Sequence, residues 1–254
     1  MSVAAGGSGA AGAGGEAPRR AALVTGSARG IGRRIALDLA AAGCDVALHY
    51  RSSREEAEAV RAEAEALGVR AVALGADLAD RAAARGLVAE AHAALGRLDV
   101  LVNNVGNYLF APWDTVSDEQ WDDILDSNLT ATLATCQAAV PLMRAQGYGR
   151  IVNLGYAGAG SLAARPNLLA YAVAKAGVLL LTRSLARAEA ANGITVNVVS
   201  PGVIETSLTQ PLREIPAGRL GLVQEVSKSV LFLSSEAAAY VTGQEIAVAG
   251  GWNL

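Results

Sequence analysis

Aromatic residues are scarce in this chain, 4% of 254 residues, so a core drawn from its 52% hydrophobic content has to be built from Ala, Val, Leu and Ile. Cysteine is nearly absent. Cys44 and Cys136 sit far apart in apolar stretches without metal-ligand spacing, which argues against a disulfide framework and reads as two buried thiols. The two histidines, His49 and His92, have no ligand partner nearby, so both read as structural or exposed and no metal is expected. Positive charge is not in excess. A formal net charge of -3 argues against a nucleic-acid partner that needs a basic surface. No run reads as long and apolar enough to cross a bilayer, so no membrane partner is expected either.

Met1 to Pro18 is largely Ala, Gly and Ser, with no basic start and too many glycines for an apolar signal segment. The expected organisation is a flexible arm over residues 1–19 and one domain over residues 20–254, in a soluble, cytoplasmic protein. From Arg20 onward short β-branched runs alternate with Ala-rich amphipathic segments. Strands are predicted at residues 22–24, 46–50, 71–74, 100–103, 151–154, 195–199 and 245–248. Helices are predicted at 30–42, 53–67, 80–95, 127–146, from Tyr171 to 191, and at 223–234. Gly43, Gly68 and Gly96 fall just past the first three, where a left-handed cap is wanted. Seven strands, apolar on both faces and alternating with helices, imply a single α/β domain with a doubly wound, mostly parallel sheet.

Two segments carry chemistry. Thr25-Gly26-Ser27-Ala28-Arg29-Gly30-Ile31-Gly32 leaves the first strand and opens the first helix. Its glycines let the backbone turn tightly and approach a pyrophosphate at the helix's positive N-terminus. Ala170-Tyr171-Ala172-Val173-Ala174-Lys175 then places a phenol and an ammonium one helical turn apart, on one face. An ammonium beside a phenol favours the phenolate, lowering a pKa that is about 10 when unperturbed, which predicts a proton donor usable near neutral pH.

Together these segments resemble the short-chain dehydrogenase/reductase family, and within it the 3-oxoacyl-carrier-protein reductases, from Arg20 to the C-terminus. Asn103-Asn104-Val105-Gly106 is similar to the family's Asn-Asn-Ala-Gly, Asn128 to its catalytic Asn, and Pro201-Gly202-Val203-Ile204-Glu205-Thr206 to its nicotinamide-carboxamide segment. The resemblance implies a Rossmann-type fold with a seven-stranded parallel sheet. It implies hydride transfer from a nicotinamide, with Tyr171 as proton donor and Lys175 holding the ribose hydroxyls. It further implies that Asn128 fixes a water relaying protons to Lys175, and that Asp77 and Leu78 contact adenine; for Asp77, helix capping is an open alternative. Gly26, Ser27, Gly30, Ile31, Gly32, Asn104, Gly106, Pro201, Gly202, Ile204 and Thr206 complete the expected cofactor site. The second strand ends His49-Tyr50-Arg51-Ser52-Ser53, with no carboxylate until Glu55. A 2′-phosphate clamped by Arg29 and Arg51, with a hydrogen bond from Ser52, therefore fits better than a bare 2′-hydroxyl, and NADP(H) is the expected cofactor.

The departure from the family is its active-site serine. Counting forward from Asn153 that position falls on Tyr156; counting back from Tyr171 it falls on Gly158, so the loop carries a two-residue insertion. Three readings stay open: Tyr156 supplies the hydroxyl, Ser161 folds back to do so, or the substrate is an imine or iminium that needs no such donor. The sequence His49-Tyr50-Arg51-Ser52 is also similar to pteridine reductases, although that family carries Asp where Tyr156 stands. The expected activity is reduction of a small ketone or 3-oxoacyl-type substrate, with C=N reduction and a non-catalytic NADP(H)-binding scaffold as alternatives. Segments 107–113, 156–169 and 204–215 are expected to line the substrate pocket, with Tyr108 and Phe110 as aromatic walls and Trp113 as a wall or a packing residue. By resemblance the chain is a homo-oligomer, a tetramer or dimer, packed through the Ser127 and Tyr171 helices.

Overall fold

In the computed structural model, which describes residues 19–253, seven strands form one sheet with every neighbouring pair parallel. They are β1 Ala21–Val24, β2 Asp45–Tyr50, β3 Ala71–Gly75, β4 Val100–Asn103, β5 Gly149–Leu154, β6 Ile194–Pro201 and β7 Glu245–Val248. The helices are α1 Gly30–Ala41, α2 Arg54–Ala66, α3 Arg81–Leu95, α4 Asp118–Leu125, α5 Ala131–Gln146, α6 Leu169–Glu189 and α7 Val223–Leu233. All seven expected strands are present. The expected N-terminal arm, apart from Arg19, lies outside the described residues.

The spatial order β3-β2-β1-β4-β5-β6-β7 means that the chain winds outward from β1, then returns to build the other half. A crevice is thereby left above the carboxyl ends of β1 and β4. Alternate residues of β1 face opposite layers. Ala22 and Val24 join Ile35 and Leu39 of α1 and Val230 of α7, whereas Leu23 joins Leu87 of α3 and Met143 of α5. Burial of each such aliphatic side chain contributes about 1.5–3 kcal/mol, so the absent aromatics are not missed in the core.

The helix expected at 127–146 begins earlier. α4 starts behind Ser117, whose hydroxyl accepts from Gln120 N while the Gln120 side chain accepts from Ser117 N, a capping box readable in Ser-x-x-Gln. Between α4 and α5 lies a π turn, Asp126–Thr130. Its cause is local. The Ser127 hydroxyl donates to Asp123 O and Asn128 Nδ2 donates to Ile124 O, so side chains occupy carbonyls that the helix ladder would use.

α6 corrects a second expectation. With its short extension, Leu169–Asn192 is long and apolar enough to cross a membrane by length and composition. Its inner face, however, is buried with Val178 and Leu179 toward the sheet, and a polar chain anchors it. The Thr135 hydroxyl donates to Asn103 Oδ1, Asn103 Nδ2 to Asn153 Oδ1, and Asn153 Nδ2 to Thr182 Oγ1. All four residues are buried, and Asn103 and Asn153 are register partners, so the chain locks α5 and α6 onto β4 and β5.

His49 is structural, as expected. It accepts from Gly26 N at Nδ1 and faces Ala76 O at 3.0 Å through Nε2, while its own N–H donates to Ser27 Oγ. One neutral tautomer satisfies both ring nitrogens, and burial holds the imidazole pKa below its ordinary value. A His with a depressed folded pKa adds stability above the unfolded pKa of about 6.5 and loses it as pH falls below that. His49→Ala is therefore expected to cost about 2 kcal/mol at pH 8. In urea melts repeated down to pH 5, the gap between variant and wild type should narrow; a constant gap would mean that His49 does not titrate.

Candidate active site

The glycine turn is held by side chains from β4. Thr25 Oγ1 accepts from Asn104 N and Val105 N, and Asn104 Nδ2 donates back to Thr25 O and Gly26 O. Asn104, expected to touch cofactor, lines both cavities described below and also secures the turn. Ser27, also expected there, is buried with its hydroxyl bonded to His49 N. Close approach explains one glycine. A Cβ at Gly32 would lie 2.3 Å from Gly26 O, so any side chain would push α1 off the turn.

Beside the turn lies a cavity of about 330 Å³ lined by Gly26, Arg29, Arg51, Ser52, Asp77 and Leu78. Arg29 does not point freely into it, because its guanidinium is paired with Glu56. The expected two-arginine clamp therefore has one committed member and one open one, Arg51. Asp77 does not cap α3; Asp80 does, accepting from Ala82 N and Ala83 N. The residues present fit an adenine nucleotide with an extra phosphate: a flat apolar wall at Leu78, backbone amides at the turn, and two cations.

A larger cavity, about 780 Å³, continues above β4, β5 and β6. Ile31, Gly106, Tyr171, Lys175 and the run Pro201, Gly202, Ile204 and Thr206 line it, as the sequence led one to expect. Two backbone bonds, Ala111 N to Asn167 O and Trp113 N to Pro166 O, zip the loop after β4 to the loop before α6. Tyr108 and Phe110 face the cavity; Trp113 does not and is exposed.

Lys175 and Tyr171 share a face of α6, with Nζ 5.6 Å from the Tyr171 ring centroid. The ammonium is buried and donates to Leu154 O at 2.8 Å, and desolvation pushes its pKa down to about 8. The expected depression of the Tyr171 pKa is not met. Burial raises the phenol well above its ordinary value, and the Tyr108 and Tyr156 phenols add to the rise. The reason is physical: a lysine stripped of water and bonded to a carbonyl cannot outweigh loss of solvent around the phenolate. Tyr171 in this state is a firmly protonated acid.

Tyr108 and Tyr156 meet Tyr171 edge to face, with centroids 5.2 and 5.7 Å away. Tyr156 lines the cavity and its hydroxyl has only a long 3.5 Å approach from Asn253 Nδ2. Ser161 is bonded within its own turn, donating to Gly158 O and accepting from Ala163 N, and does not line the cavity. Asn128 lines neither cavity. Its Nδ2 holds Asn107 O and Ile124 O, and its Oδ1 is buried without a partner beneath Gly106, where a Cβ would come within 2.1 Å. Sequence reasoning gave no role to Thr25 or Trp252, and it placed Arg165 in the pocket-lining segment 156–169 without singling it out.

With this geometry in place, a family profile described as Enoyl-(Acyl carrier protein) reductase matches residues 26–253. The 3-oxoacyl-[acyl-carrier-protein] reductase FabG of Staphylococcus aureus strain Mu50 is 41% identical over 241 residues, 91% of this chain and 97% of that protein. A blue fluorescent protein from a metagenomic library, solved in complex with NADPH, superposes with a TM-score of 0.86 at 38% identity, covering 92% of this chain and 98% of that one. The acetoin dehydrogenase YohF from Salmonella typhimurium superposes with a TM-score of 0.86 at 33% identity, covering 92% and 96%. The parallel sheet, the glycine turn tied to β4 and the Tyr171–Lys175 pair are thus those of an oxidoreductase, and the chain belongs to the short-chain dehydrogenase/reductase family.

Proposed function

We propose that the protein is an NADP(H)-dependent reductase of a small carbonyl compound. The observation that carries this reading is the placement of the Tyr171 phenol in the wall of the larger cavity, with Lys175 Nζ 5.6 Å from its ring centroid. Arg51, Ser52, Asp77 and Leu78 would hold the adenosine end, and the Gly26–Gly32 turn the pyrophosphate. When bound, the nicotinamide supplies a hydride. Tyr171 gives its proton to the oxygen that becomes negative, an acid role that needs the neutral phenol found here. Lys175 donates to Leu154 O with one N–H; its other two would hold ribose hydroxyls and steady the phenolate left behind. Asn128 has the role of securing the loop after β4, through Nδ2 on Asn107 O and Ile124 O.

Tyr156 supports the ketone reading over the C=N alternative. Its ring meets Tyr171 edge to face in the cavity wall, and its hydroxyl is unclaimed by any short contact among the described residues, which leaves it able to serve as an oxyanion donor. We also infer that the protein acts in the cytoplasm as a homo-oligomer. Leu133 of α5 and Val173 and Leu180 of α6 are exposed on the helices through which such packing would run.

Tyr171→Phe is expected to abolish NADPH oxidation while leaving NADPH affinity, read by fluorescence, within about twofold; near wild-type turnover would remove Tyr171 from its assigned role. Tyr156→Phe should slow ketone reduction by roughly 100-fold and leave a preformed iminium substrate nearly unaffected. Lys175 is an ammonium below its pKa of about 8 and neutral above it. Reductive kcat/KM should therefore fall as pH rises through about 8, and a profile flat to pH 10 would contradict the assignment. Arg51→Ala should weaken NADPH by roughly 10- to 100-fold with little effect on NADH, and Glu56→Gln, which frees Arg29, should tighten it.

A further inference from the structure

Arg165 stands on the lengthened loop between β5 and α6 and lines the larger cavity beside Tyr156 and Tyr171. Its Nε is buried and meets no acceptor among the described residues, and it takes part in none of their ion pairs or side-chain hydrogen bonds. The other buried or half-buried arginines among the described residues are compensated, whereas the unpaired ones, such as Arg51, are exposed to water. Arg97 is bidentate on Asp99, Arg144 on Glu189, and buried Arg150 donates to Gly149 O and Gly193 O. A guanidinium cannot shed its proton to escape the cost of burial, so an uncompensated one in a cavity wall asks for an external oxyanion.

The placement matches. Arg165 Nη2 lies 3.5 Å from where a Cβ on Gly158 would be, over the turn that lacks the family's serine. Its charge reaches the Tyr156 phenol, opposing the rise that burial causes there. The Tyr156 ring in turn touches Tyr171 edge to face. Arg165, Tyr156 and Tyr171 thus line one cavity. Glu214 is the one carboxylate among the lining residues, and it is exposed, where solvent and salt screen it.

We propose that the substrate is an oxo acid whose free carboxylate pairs with Arg165 while its carbonyl faces Tyr171, a few bonds away. This rests on the reductase reading and narrows it: a neutral acyl thioester or simple ketone leaves the guanidinium bare. The planar fork of Arg suits a carboxylate in two parallel hydrogen bonds.

The test uses the full chain and matched pairs, acetoacetate and 4-oxopentanoate against their methyl esters, in wild type, Arg165→Met and Arg165→Lys. Wild type is expected to favour each acid over its ester at least tenfold in kcat/KM. Arg165→Met should lower that acid-to-ester ratio by roughly 10- to 100-fold, chiefly through KM for the acid, and Arg165→Lys should restore part of it. NADPH affinity within twofold of wild type in both variants shows that the fold is intact. Equal rates for acid and ester in wild type, or an equal loss of both in Arg165→Met, overturn the proposal while leaving the reductase reading in place. Should no compound consume NADPH, the reductase reading fails, and calorimetry with acetoacetate and NADP⁺ decides the anion site alone. Binding to wild type and not to Arg165→Met supports it; no binding to wild type ends it.

Discussion

The Asn104 carboxamide, bonded to Thr25 O and Gly26 O while the Thr25 hydroxyl accepts two amides from the loop after β4, is the interaction on which the site depends. β1 and β4 are adjacent in space but separated in the chain by two strands, β2 and β3, and the crevice between their ends is where the two halves of the fold part. Without a tie at that point the glycine turn would rest on β1 alone. With it, the turn is braced on one side by β4 and on the other by His49 of β2. The polar atoms involved are shielded from water, which strengthens each bond and penalises any that is left unmade.

The same logic governs α6. Burial of Lys175 with no carboxylate partner costs stability, and burial of Tyr171 keeps its proton on. Both groups are held in this unfavourable setting by contacts elsewhere on the helix: Thr182 on the Asn103–Asn153 chain, and Val178 and Leu179 toward the sheet. Anchor and reactive groups occupy the same face, one or two turns apart. The acid is thus preorganised by packing, and the pKa of the ammonium beside it is pushed down to about 8 by loss of solvent.

Much of this was legible in the residues because it is local. Strand and helix positions follow from periodicity, and the turn and the Tyr-x-x-x-Lys pair are short motifs. What was not legible depends on long-range neighbours. Asn104 was expected at the cofactor, but nothing near it in sequence reveals Thr25 as its partner. The Tyr171 pKa was expected to fall because Lys175 is a helical neighbour, whereas burial raises it, followed by Tyr108 and Tyr156, which arrive on other loops. The Arg29–Glu56 pair and the isolation of Arg165 are likewise facts of packing. The early start of α4 is different: it is local, and the Ser117-x-x-Gln120 capping box carries it in the sequence.

The π turn at Asp126–Thr130 has a geometric consequence. A step to the fifth residue back, seen in the Ala131 N–H donating to Asp126 O, inserts one extra residue into the run. At 3.6 residues per turn that rotates everything beyond it by about 100°. α4 therefore presents Ile124 toward Ala170 and Ala174 of α6, while α5 presents Ala139 and Met143 toward α3 and the sheet. One continuous rod serves as a wall to two different neighbours. Its phase change falls at Asn128, so the angular offset of the two walls and the position of that side chain are set by a single local miscount in the ladder.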